Sequence, residues 1–171
     1  MRRTNKTARD ATALPSATTA DAVTASFSWK LRVYYEDTDA GGVVYYANYL
    51  RYYERSRSEW MRALGFGQQE MAERDGVLFV VASAEVHYRR PARLDDELVV
   101  DARIAERFGS YVIFEQTARR GTEVLGTARM KVACVDAHSL RPTRLPAALV
   151  ARLAPEPLQP IIHDLTPNED P

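Results

Sequence analysis

Only one stretch of this chain carries a long helical stripe, and after one further short helical run it is followed by strand patterns. Tyr46, Tyr49, Leu50, Tyr53, Trp60, Met61 and Leu64 fall at spacings of three, four and seven, which places them on one face of a helix. Arg57 interrupts the stripe; the simplest account pairs it with Glu54 one turn earlier or lets it snorkel to water. Gly65 and Gly67 supply a stop, and "QQEMAER" predicts a short second helix ending near Asp75-Gly76.

Strands surround this segment. "WKLRVYY", Trp29 to Tyr35, alternates apolar and charged side chains at the period of a half-buried strand. Downstream, Leu78, Val80, Ala82, Ala84, Val86 and Tyr88 alternate until Pro91 closes the run. Leu98, Val100, Ala102 and Ile104 form the next face, and Gly109-Ser110 turns the chain into "YVIFEQTA". Gly121 turns it again into a last strand, with Val124, Ala128, Met130, Val132 and Cys134 on one side. "LRPTRLPAALVARL" has room for one short helix. A sheet that is apolar on one face must cover that face, and only the Tyr46 to Leu64 helix has a matching stripe. The predicted class is α+β: a curved antiparallel five-stranded sheet around one long central helix. The Ala- and Thr-rich stretch 1–26 reads as a disordered extension, 27–153 as one domain, and the Pro-rich 154–171 as a loose tail.

Composition narrows the partners. Lys plus Arg and Asp plus Glu both total 23 in 171 residues, so no charge bias points to nucleic acid or an anionic membrane. No apolar run is long enough for membrane insertion and no secretion h-region opens the chain, so a cytoplasmic location is the expectation. Cys134, the single cysteine, sits in "MKVACVD" and reads as a buried, inert thiol. His87, His138 and His163 lie far apart without metal-ligand spacing, so neither a metal nor another cofactor is expected.

The chemistry concentrates in "YYEDTDAGGVVYYANYL", Tyr34 to Leu50. Asp39 is followed by Ala-Gly-Gly, where the backbone can take positive φ and a ligand can approach closely. The helix starts a few residues later, and its first N–H groups lack intrahelical partners while its dipole favours negative charge. A carbonyl oxygen resting on those amides would be polarised, and the oxyanion formed by attack on it stabilised. A carboxylate beside an oxyanion site suits acyl transfer. On these residues alone, capping a turn is the commoner task for an aspartate in a glycine-rich loop.

The block "VYYEDTDAGGVVYYANYLRYYERSRSEWMRALG", continued by "YRRPARLDDEL" and "ACVDAHSLRPTRLP", resembles the hotdog-fold acyl-CoA thioesterases, specifically the YbgC branch of the 4-hydroxybenzoyl-CoA thioesterase family. The likeness runs from about Trp29 to Leu153. It implies a sheet wrapped around one helix, subunits paired into a homodimer or tetramer, and active sites between subunits. The family's catalytic carboxylate maps onto Asp39 and its carbonyl-polarising amide onto the Tyr46 N–H, with Gly42 lining the loop. The branch usually carries histidine at the position of Tyr46, whereas the hydroxybenzoyl branch tends to carry an aromatic there. Aryl acyl groups therefore stand beside short aliphatic ones as substrates.

Asp37, Glu54 and Glu59 are the rival carboxylates. "YERSRSEW" alternates the two glutamates with arginines, the pattern of ordinary paired or solvated charge. Arg89, Arg90 and Arg93 around Pro91, with Arg129 and Lys131 on the last strand, are the candidates for CoA phosphates. The expected activity is hydrolysis of acyl-CoA to CoA and a carboxylic acid. The alternative is a non-catalytic acyl-CoA-binding or scaffold partner of a cell-envelope complex, because the YbgC branch is associated with the Tol-Pal system.

Overall fold

The computed structural model describes residues 26–153. Strand β1 (Ser26–Arg32) is followed by a single 3-10 turn (Tyr35–Asp37), helix α1 (Tyr46–Ala63) and helix α2 (Gln68–Asp75). Strands β2 (Val77–Tyr88), β3 (Glu97–Arg107), β4 (Tyr111–Arg120) and β5 (Glu123–Asp136) come next, and α3 (Ala147–Arg152) closes the series. The five strands form one antiparallel sheet in the order β1-β3-β4-β5-β2. Its apolar face wraps α1, the α+β hotdog arrangement expected. The extension and tail expected over 1–26 and 154–171 lie outside the described residues, except Ser26, which already pairs with Arg103 in β1. No helix among the described residues is long and apolar enough to cross a membrane.

The helix stripe differs from the expectation at its beginning. Tyr49, Tyr53, Trp60 and Met61 are buried, but Tyr46 is 59% exposed and Leu50 40%, while Tyr52 is completely buried. Tyr46 opens α1 beside the last residue of β2, where it meets Tyr88 edge to face and Tyr45 at a tilt instead of entering the core. Each fully buried tyrosine or leucine contributes on the order of 1.5–3 kcal/mol from apolar burial. Trp60 anchors the other end, meeting Phe114 edge to face at 5.9 Å and stacking near Phe27. Gly65, at φ +85°, stops α1: the Phe66 N–H donates to the Met61 carbonyl, satisfying one orphan acceptor.

The strands depart from simple alternation at bulges. In β2 the pairing with β5 slips between Val81 and Ser83. Val77 and Phe79 pack into the core before the slip, and Val86 packs against it from the opposite parity after it. The even-numbered face expected from Leu78 to Tyr88 is thus cut in two, leaving Val80 exposed. A second bulge lies where Ala118 opposes Gly126 and Arg119 opposes Val124. It puts Leu125, not Val124, into the core. Cys134 is buried as expected, and burial pushes its thiol up. β1 ends at Arg32, three residues before the predicted Tyr35, because the backbone tightens there into the 3-10 turn that begins the acidic loop.

Candidate active site

The loop between β1 and α1 is a small built unit. Asp37 is buried, and its Oδ2 accepts the Tyr34 N–H at 2.9 Å. Its carbonyl oxygen accepts both the Tyr45 N–H and the Asn48 side-chain amide, each at 2.9 Å. Asp37 therefore locks the loop to the helix start and is itself largely buried. Thr38 bridges Val44, and the Asp39 N–H donates to the Val43 carbonyl at 2.9 Å. Gly42, at φ +70°, closes this hairpin by donating its N–H to the Asp39 carbonyl at 2.9 Å. Only a residue without Cβ takes that backbone cheaply.

Asp39 is exposed at the tip. Its Oδ1 accepts the Gly41 N–H at 2.8 Å, and no hydrogen bond engages Oδ2 among the described residues. The turn-capping role and a free carboxylate oxygen thus coexist in one side chain. The Tyr46 N–H, first of α1, has no backbone acceptor among the described residues, whereas its neighbour Tyr45 N–H is tied to Asp37. An unfilled donor at the positive end of a helix and an oriented carboxylate thus lie on one hairpin-helix junction.

A cleft of about 260 Å³ opens beside the helix start, lined by Val44, Tyr46, Tyr49, Tyr88, Arg89 and Arg90; Asp39 is not among its walls. The Tyr88 hydroxyl donates to the Tyr46 carbonyl at 3.1 Å, and the Tyr49 hydroxyl accepts the Ala92 N–H at 3.1 Å. These two bonds carry the strand end, and with it Arg89 and Arg90, to the helix start. Arg90 lies 3.9 Å from Glu123 in a loose, exposed pair. Arg93 is exposed one turn further on, its backbone N–H held by Asp96 at 2.8 Å.

Arg129 and Lys131 sit on the outer sheet face. Arg129 is engaged by Glu115 at 2.6 Å and by Glu106, and the Lys131 ammonium lies 4.1 Å from the Tyr111 ring centroid. Arg89 also borders this outer hollow of about 350 Å³, together with Arg103, Glu115 and Arg129. Among the rival carboxylates, Glu54 accepts the Ser58 hydroxyl at 2.5 Å and Glu59 pairs with Arg62. His87 is exposed beside Glu85, and His138 is exposed; His163 lies outside the described residues.

One residue behaves unlike its expected roles. Arg57 neither pairs with Glu54 nor snorkels: it is buried, donating to Gln116 Oε1 at 2.6 Å. Its interruption of the apolar stripe was the sequence signal for this. Tyr88 and Asn48, which hold the site together, carried no such signal, because their partners are backbone carbonyls.

A model of the thioesterase-like superfamily matches residues 33–153. The acyl-CoA thioesterase YbgC of Haemophilus influenzae is 46% identical over 125 residues, covering 73% of this chain and 92% of the relative. The acyl-CoA thioester hydrolase YbgC of Escherichia coli O157:H7 is 46% identical over 130 residues, covering 75% and 96%. Among solved structures, a probable thioesterase from Bartonella henselae superposes with TM-score 0.69 at 38% identity, covering 71% of this chain and all of that one. With the family match spanning four of the five strands, the central helix and the Asp39 hairpin alike, this chain belongs to the thioesterase-like superfamily.

Proposed function

We infer that this chain is an acyl-CoA thioesterase, cleaving the thioester of short aliphatic or aryl acyl-CoA to free CoA and a carboxylic acid. The observation that carries the reading is the junction itself: Asp39 with Oδ2 unengaged, next to a helix whose first N–H has no acceptor. The relatives' names supply the substrate class.

The thioester carbonyl oxygen rests on the Tyr46 N–H, which gains strength as negative charge develops on that oxygen. Asp39 then takes one of two roles. As a base it removes a proton from water while the water oxygen bonds the carbonyl carbon; as a nucleophile it bonds that carbon itself, and water later opens the mixed anhydride. In both, the carbon–sulfur bond breaks and the electron pair leaves on the CoA sulfur. Gly42 keeps the loop backbone clear of the thioester. Arg89 and Arg90 at the cleft, with Arg93 beyond them, are the groups offered to CoA phosphates. Arg129 and Lys131 take lesser parts, since carboxylates and an aromatic ring already engage them.

Asp39→Asn tests this directly. Thiol release from butyryl- and hydroxybenzoyl-CoA should fall by at least about a hundredfold, in the range of lost acid–base catalysis, with thermal stability little changed. Full activity in the Asn variant, or no thiol release by the wild type from any ester, overturns it. The scaffold alternative has no observation in its favour among the described residues.

A further inference from the structure

A smaller cavity, of about 100 Å³, lies between the latter half of α1 and the β2 side of the sheet. Its walls are largely apolar, formed by Met61, Phe79, Val112, Phe114, Val132 and Leu149. Arg57 also lines it, yet Arg57 is only 8% exposed. A guanidinium has five N–H donors in a rigid fork. One nitrogen, Nη1, donates to Gln116 Oε1 at 2.6 Å, and no other hydrogen bond or carboxylate engages the group among the described residues.

Gln116 is itself fixed. Its Nε2 donates to the Tyr53 carbonyl at 2.8 Å, which turns Oε1 onto Arg57. The Phe114 ring centroid lies 5.9 Å from the guanidinium carbon. Burial draws the basicity of Arg57 down to about 10, with Glu54 opposing, so the group stays charged at neutral pH. Glu54 also lines the cavity and its charge acts on Arg57, but among the described residues no salt bridge joins the two, and its Oε1 accepts the Ser58 hydroxyl at 2.5 Å. The remaining N–H groups of Arg57 have no protein partner among the described residues yet are not sealed away from the cavity, so an anion entering the cavity can complete the fork.

We propose that this cavity binds a carboxylate borne on a short apolar chain, the two oxygens on the Arg57 fork and the chain among Met61, Phe79 and Val112. The volume, about three waters at roughly 30 Å³ each, suits a chain of about three or four carbons. Its meaning for catalysis rests on the thioesterase reading. The source is a free short-chain acid, which thioester hydrolysis releases; Arg57 lies eleven residues along α1 from Tyr46, about 16 Å at ~1.5 Å per residue, too far for the end of a short acyl group held at that amide.

Butyrate, butyramide and butanol titrated into the full-length wild type by calorimetry test the site without any variant. Butyrate should bind at least tenfold more tightly than the two neutral analogues. Arg57→Gln should weaken it at least tenfold, and Glu54→Gln should strengthen it by removing a like charge at the mouth. In hydrolysis of butyryl-CoA, added butyrate should inhibit the wild type, and Arg57→Gln should relieve that inhibition. Equal or absent binding of butyrate and butyramide to the wild type overturns the proposal, even if Arg57→Gln fails to fold. A wild type that hydrolyses esters but shows no such discrimination sinks the site alone; one that discriminates but hydrolyses nothing sinks the thioesterase reading alone.

Discussion

The hydroxyls of Tyr52 and Tyr53 are buried with no hydrogen-bond partner among the described residues. Burial is the main reason both pKa values are pushed up; the Asp37 charge adds to it at Tyr52. Tyr49 and Tyr88 are raised as well, again chiefly by burial. A phenol whose folded pKa exceeds its unfolded value of about 10 contributes stability that is complete below pH ~10 and lost as pH climbs through the folded value. Arg57 acts in the opposite sense. Its folded pKa is drawn down by burial to about 10 from the usual guanidinium range, so between the two the unfolded chain holds more protons and stability gains as pH rises. The raised phenols outnumber the one lowered guanidinium, so the net slope above pH 10 is downward. Tyr53→Phe removes an unpartnered hydroxyl from the core, so urea unfolding at pH 7 should show no loss and a gain of up to about 1 kcal/mol. At pH 10.5 the variant's advantage over the wild type should grow. A destabilisation of more than about 1 kcal/mol at pH 7 would mean that the hydroxyl is bonded after all.

At the scale of elements, two glycines with the same backbone demand serve different ends. Gly42 (φ +70°) closes the Asp39 hairpin and Gly76 (φ +65°) ends α2, where its carbonyl accepts the Ala137 N–H at 2.9 Å. A Cβ would meet nothing within 4 Å at either position, so alanine costs only the left-handed conformation, about 1 kcal/mol. Gly76→Ala should lower stability by that amount and leave turnover per folded molecule unchanged. Gly42→Ala should lower kcat at least tenfold for the same stability loss, because the hairpin can relax only by moving Asp39. Equal kinetics in the two variants would remove Gly42 from the site. The helix, the strand order of events and the Asp39 loop were legible because each rests on local periodicity or local turn chemistry. The bulges at Val81 and Leu125 were not, since a bulge is settled by the partner strand and leaves no mark on either sequence alone. Tyr46 was misplaced for a related reason: periodicity says which face a residue shares, not how deep it is buried.

For the whole molecule, the sheet has β1 and β2 as its edges, unpaired among the described residues. β2 is the longer, twelve residues against seven, and it carries exposed Val80 and Val81 at 39% and 51%. A long apolar edge with open N–H and C=O groups invites pairing with another strand. A second copy joined through β2 would continue the sheet, as the family resemblance implies, and would bring another chain against the cavity that Val81 borders. The single chain weighs 19.3 kDa, so light scattering on the wild type should give twice or four times that mass. Val80→Lys places like charges opposite one another or near it in an antiparallel β2 pair, and like charges directly opposite are destabilising across strands. The mass should then fall toward that of one chain on dilution, and specific activity should fall with it if the site is completed by the partner. Activity that persists in a dissociated variant would confine catalysis to one chain. A wild type of single-chain mass at all concentrations would leave the β2 edge without its partner and rule out a site shared between subunits.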